Sequence, residues 1–221
     1  MKLFLLLALT VTCKADFGPS GQNDIINVHN SLRSKIAKGI YVAGGNQKPP
    51  GSNIVKMEWD TSLVTSAQNY ANSCPTGHSG IDGLGENLYW YWTSGSLGDL
   101  NQYGAAASAA WENEFQDYGW GSNLLTSDLF NTGIGHATQM AWANSNLVGC
   151  GVNNCGRDGV NNVTVVCHYN PSHSTVDEMS GDEDVVIDAK MEEVPEREKV
   201  NELGDDEKVT DANDGSRGRK R

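Results

Sequence analysis

This chain of 221 residues carries 28 acidic against 16 basic side chains, a formal net charge of −12, which argues against nucleic acid and anionic membrane surfaces as partners. Positions 177–221 hold 16 acidic and 8 basic residues with no aromatic and no cysteine, too little apolar surface to offset the entropy of ordering, and read as a disordered acidic tail. The stretch 16–176, about 160 residues, is an ordinary length for a single domain.

The chain opens with Met1-Lys2, an apolar run from Leu3 to Val11, and Cys13-Lys14-Ala15 with a small residue at the end. Residues 1–15 therefore read as a secretory signal peptide, too short to persist as a membrane span. No later apolar run is long enough to cross a bilayer, so the mature protein is expected to be extracellular rather than integral to a membrane.

Asn23 or Asp24 is placed to cap a helix through Ile25, Val28, His29, Leu32 and Ile36, with Gly39 at its C-terminal end. Tyr41 to Ser52 is rich in glycine and proline and reads as loop. Asp60 caps a second helix through Leu63, Val64, Ala67, Tyr70 and Ala71, ending before Cys74-Pro75. Thr76 to Leu100 reads as loop around an apolar island, Leu88-Tyr89-Trp90-Tyr91-Trp92, part of which must be buried. Asn101 to Tyr118 reads as a third helix stopped by Gly119, with Trp111, Phe115 and Tyr118 on one face, and Trp120 to Gly133 as loop again. His136 begins a helical turn. Leu147 to Val152 is a glycine-rich strand candidate. From Val163, apolar positions alternate through Val165, Cys167 and Tyr169 with the period of a strand. Gly156-Arg157-Asp158-Gly159 marks the turn between the two, so an antiparallel pair is expected in a mixed α/β domain.

Cys13 leaves with the signal, and Cys74, Cys150, Cys155 and Cys167 remain. No C-x-x-C pair suggests a zinc finger. Two disulfides are expected, in any of three pairings. His78, Glu86, Glu114 and His136 are a chemically sensible set for a divalent metal, zinc above all, because neutral imidazole and carboxylate both suit it. No H-E-x-x-H spacing joins them, and a hydrogen-bonded polar cluster needing no ion would use the same residues. Asn162-Val163-Thr164 is the one N-glycosylation sequon.

Four stretches together resemble the signatures of the CAP superfamily, also called SCP/TAPS: His29-Asn30-Ser31-Leu32-Arg33, Gly85-Glu86-Asn87-Leu88-Tyr89, Gly135-His136-Ala137-Thr138-Gln139-Met140-Ala141-Trp142 and Val166-Cys167-His168-Tyr169-Asn170-Pro171. They span Ile25 to Ser174 and are most similar to nematode secreted, venom-allergen-like members. The resemblance implies a three-layer α-β-α sandwich, a CAP domain over 16–176, and a cleft holding His78, Glu86, Glu114 and His136. It also implies the disulfide Cys150–Cys167, which leaves Cys74–Cys155. By the same analogy the protein is expected to be a non-enzymatic binder of a sterol or other lipid, or of a cell-surface or extracellular protein. Trp111, Phe115, Tyr118 and Trp120 are candidates to line a lipid pocket, although aromatics at helical spacing are more often core. Alternatives are a hydrolase using the histidine–glutamate cleft with Ser79 or metal-bound water, and a structural, antigen-like scaffold. Two positions depart from the family pattern: Ala137, where an aromatic or histidine is usual and the cleft would be more open, and His173-Ser174, which replaces a Gly-Asn pair.

Overall fold

The computed structural model describes residues 16–173. The expected signal peptide and acidic tail lie outside the described residues.

Helix α1 (Pro19–Ala37) starts earlier than the Asn23 or Asp24 cap, because Pro19 sets the first turn and Gly18 precedes it as N-cap. Its end follows expectation: Gly39 takes φ +65 just past Lys38. The Gly-rich loop contains a short hairpin, β1 (Val42–Ala43) and β2 (Asn46–Gln47), followed by β3 (Glu58–Trp59). Helix α2 (Thr61–Asn72) is capped as expected, Asp60 Oδ1 accepting from the Leu63 N–H at 2.8 Å. Next come β4 (Gly85–Thr93), α3 (Gln102–Asp117) and α4 (Ser127–Leu129). A wide turn over Phe130–Ile134 leads into α5 (Gly135–Ala141), and the described chain closes with β5 (Leu147–Asn154) and β6 (Asn161–Asn170).

The main sheet has the order β3-β5-β6-β4, with β6 antiparallel to both neighbours and β3 parallel to β5. The aromatic island read as loop is thus a strand. Its alternation is hidden because both faces carry apolar side chains: Leu88 and Trp90 pack under α2, while Tyr89 packs into the opposite core. That larger core joins α1, α3 and α5 to the sheet through Ile25, Leu32, Phe115, Met140, Val165 and Tyr169. The smaller one holds Ala67, Ala71, Leu88 and Val166 beneath α2. The result is a three-layer α-β-α sandwich.

Glycines in β5 let α2 sit close. A Cβ on Gly149 would lie 2.3 Å from the Val64 nitrogen, and one on Gly151 2.4 Å from the Gln68 Cα. Gln68 then exchanges hydrogen bonds with the Val152 backbone at 2.8 and 3.0 Å, occupying the edge of β5 beyond the short β3. Cys150 and Cys167 are directly opposed across β5 and β6 and are bonded, and Cys74–Cys155 ties the end of α2 to the end of β5. The β5–β6 turn uses positive φ at Asp158 and Gly159, the geometry of a tight two-residue hairpin. Among the described residues, no helix is long and apolar enough to cross a membrane.

Candidate functional site

The four predicted metal residues form two histidine–glutamate pairs. Glu86 lies near the start of β4, directly opposite His168 of β6. Its Oε1 accepts from His78 Nδ1 and from the Ser79 backbone N–H, both at 2.8 Å, and its Oε2 meets His168 Nε2 at 2.9 Å. Burial opposes ionisation of Glu86, but the donors from His168, His78 and Ser79 outweigh it and hold the carboxyl well below the usual range. The same bond to Glu86 raises the pKa of His78, which is 61% exposed at its side chain. On the other side of the sheet, Glu114 of α3 contacts His136 Nδ1 at 2.5 Å through Oε1 and the Ala137 N–H at 3.0 Å through Oε2. Trp111 stacks on the His136 ring with centroids 6.1 Å apart.

A carboxylate oxygen accepts, so in both pairs Nδ1 is the donor, and Nε2 is the nitrogen that would carry the lone pair when the ring is neutral. This is how metal-binding imidazoles are commonly oriented from behind by a carboxylate. Each imidazole by itself thus offers one nitrogen, Nε2, of the kind a cation would take. The carboxylates, expected as ligands or anchors, have their oxygens turned to the rings and to backbone N–H groups. Among the described residues, no three His, Cys, Asp or Glu side chains stand together closely enough to enclose an ion.

Three further histidines, His29, His168 and His173, lie outside the candidate metal set, and the first two take part in the surrounding network. His168, fully buried, spans from Ser66 Oγ at 3.0 Å to Glu86. His29 donates from Nδ1 to the Ile25 carbonyl, and its Nε2 accepts from the Tyr169 hydroxyl at 2.9 Å. Asn87 Nδ2 in turn donates to the Tyr169 oxygen and the His136 carbonyl. One chain of bonds thus links α1, β6, β4 and α5. Strand alternation puts His168 on the same sheet face as Val166, but nothing in the sequence gives the register that opposes it to Glu86. His173 donates through Nδ1 to Gln139 Oε1 at 2.6 Å and stacks on Phe130, which fixes the loop where Gly-Asn is usual.

Three alternatives left open by the sequence are decided by the packing. Ala137 is fully buried on the core side of α5, so it does not open a cleft wall. Trp111, Phe115 and Trp120 are core residues, with Phe115 and Trp120 stacked at 4.7 Å, and only Tyr118 is exposed. Among the described residues the Ser79 hydroxyl has no hydrogen bond to an imidazole, and its backbone N–H joins His78 on Glu86 Oε1. The serine–histidine contact is Ser66–His168, and Ser66 sits inside α2, where its own N–H serves the helix.

The family model for CAP, the cysteine-rich secretory protein family, matches residues 26–169. The chain belongs to the CAP family. It is 40% identical over 162 residues to Ancylostoma secreted protein of Ancylostoma caninum, covering 69% of this chain and 36% of that one. Cysteine-rich secretory protein 2 of Cavia porcellus is 35% identical over 161 residues, covering 70% of this chain and 57% of that relative. The chain thus spans roughly a third to three fifths of the length of these two relatives. The crystal structure of NaASP2 with Zn2+ superposes with a TM-score of 0.65 at 34% identity, over 71% of this chain and 82% of that one. CAP relatives with such names are secreted proteins, and one of them has been crystallised with zinc.

Proposed function

We propose that this CAP protein is a secreted, non-enzymatic extracellular binder whose cleft takes a divalent metal, zinc, on His78 and His136. The observation that carries this reading is the parallel construction of the two pairs: each imidazole is fixed through Nδ1 by a carboxylate, leaving Nε2 free. Glu86 and Glu114 set the tautomer and supply negative charge, and water completes the coordination.

Beside His136 the surface is apolar. Phe130 packs against Gly135, and Tyr118, 60% exposed, lies over Gly133. Such a rim suits an extracellular protein or a lipid docking at the surface. The cavity lined by Ile36, Lys48, Pro50, Ile54 and Trp120 measures ≈ 10 Å³, room for about one water and not for a lipid. Secretion through residues 1–15 and glycosylation at Asn162 belong to the same reading.

Zinc titrated into chelator-stripped full-length protein at neutral pH is expected to bind, and to be lost in His78→Ala or His136→Ala. Absence of binding, or binding that survives both substitutions together, would refute the metal reading.

A further inference from the structure

Strand β4 is an open edge of the sheet. From Leu88 to Trp92 it has no charge and no proline, the devices that ordinarily protect an edge from pairing with other chains. Its first half is covered from within the fold: the Trp111 indole donates to the Leu88 carbonyl, and the Trp90 indole to the Pro75 carbonyl, each at 3.0 Å. The second half is more open, although the Tyr91 ring lies against Tyr103 of α3 with centroids 5.3 Å apart. Trp92 is 61% exposed, more than any other large apolar side chain among the described residues, and Tyr91 is 39% exposed.

The register pairs Trp92 with Asn162. Residues directly opposed in an antiparallel pair project from the same face, with Cβ atoms about 4.5–5.5 Å apart. Asn162 opens the sequon Asn162-Val163-Thr164 and is the second residue of β6. It is partly exposed while its Oδ1 is buried without a partner, so the accessible part of the side chain lies away from that oxygen. Thr164 is fully buried, so the sequon would be read before β6 pairs, on the unfolded chain.

We propose that an N-linked glycan on Asn162 lays its first N-acetylglucosamine across the Trp92 indole and so covers the open half of β4. A pyranose presents a face of polarised C–H groups, which complements the electron-rich face of an indole. Stacked there, the sugar covers the face of the strand's open half and crowds any chain that approaches its unguarded edge. This inference rests on glycosylation of Asn162, proposed above.

The test uses the full chain secreted from a eukaryotic host as wild type, Asn162→Gln, Trp92→Ala and the double variant, with glycans trimmed to one N-acetylglucosamine. Intact mass should show one sugar residue, absent from Asn162→Gln. Trimmed wild type should melt about 2–4 °C above Asn162→Gln, the shift one stacked contact produces in a domain of this size. That difference should vanish in the Trp92→Ala background. An unmodified Asn162 overturns the underlying modification. A glycan whose effect on melting is nil, or equal in both backgrounds, overturns the stacking while leaving the modification intact. Should Trp92→Ala fail to fold, the sugar ring protons of isotopically labelled wild type decide: upfield shifts from the indole support the contact, and ordinary shifts refute it.

Discussion

Arg33 is 2% exposed, and among the described residues no carboxylate pairs with it. Its guanidinium is held by four carbonyls instead: Val55 at 2.7 Å, Met140 at 3.0 Å, Trp142 at 2.8 Å and Ala143 at 3.2 Å. Three of these lie at the C-terminal end of α5, where orphan carbonyls and the helix dipole favour a cation. Burial opposes the charge and lowers its pKa from 12.5 to about 10, a cost of about 3 kcal/mol at 1.36 kcal/mol per unit. Hydrogen bonds to a charged donor are worth about 1.5–3 kcal/mol each, so four of them exceed that cost. Arg33→Met keeps much of the stem but leaves the acceptors without donors, and should lose about 3–5 kcal/mol. Arg33→Lys, a point charge without the fork, should recover only part of this. Urea unfolding of the full chain should show a lower midpoint with an unchanged m value. A loss below about 1 kcal/mol in Arg33→Met would refute the view that this side chain pins α5.

Burial holds His29 near a pKa of about 4, below its unfolded value of 6.5, so between these pH values the unfolded chain binds more protons and stability falls as pH drops, by about 3 kcal/mol in all. His29→Gln should flatten the slope measured by urea midpoints between pH 6.5 and 4, although His173, also held near 4, keeps a share of it; an unchanged slope would count against His29. Glu114→Gln removes the charge behind His136 and should weaken zinc about 10–100-fold in chelator competition while the fold persists; wild-type affinity would show that the carboxylate does not orient the ring for metal. Gly151→Ala drives a Cβ to 2.4 Å from the Gln68 Cα and should cost about 1–3 kcal/mol, whereas Gly77→Ala, with nothing within 4 Å, should be neutral; equal thermal stability of the two would refute close helix–strand packing as the reason for glycine.

Elements governed by local chemistry were legible in the sequence. Asp60 announced α2 because a cap acts within three residues, and alternation announced β6 because the strand period is two. The start of α1 was misplaced because two polar cap candidates drew attention from Pro19, which sets the helix geometry without a side-chain bond. Strand β4 was hidden for the opposite reason: it is apolar on both faces, so its period cannot be seen until both helical layers are in place. The same limit applies to the site. The chemistry of His78, Glu86, Glu114 and His136 made them a sensible set and the resemblance placed them in one cleft, but no spacing joined them, since each pair is assembled across different elements.

What the fold adds is the reason those carboxylates stay in position. Glu86 and His168 are separated by 82 positions and meet because β6, the last strand among the described residues, lies between β5 and the edge strand β4. Glu114 meets His136 because α3 and α5 lie in the same helical layer, and Asn87, one residue after Glu86, crosses to the His136 carbonyl. Each carboxylate therefore sits where two elements meet, β4 with β6 on one side and α3 with α5 on the other. Residues remote from the imidazoles, such as Arg33 at the far end of α5 and Tyr169 beneath Asn87, are bound into the same frame. Two imidazoles held this way are oriented by the folding of the domain itself, and the orientation they would offer a cation is set before any cation arrives.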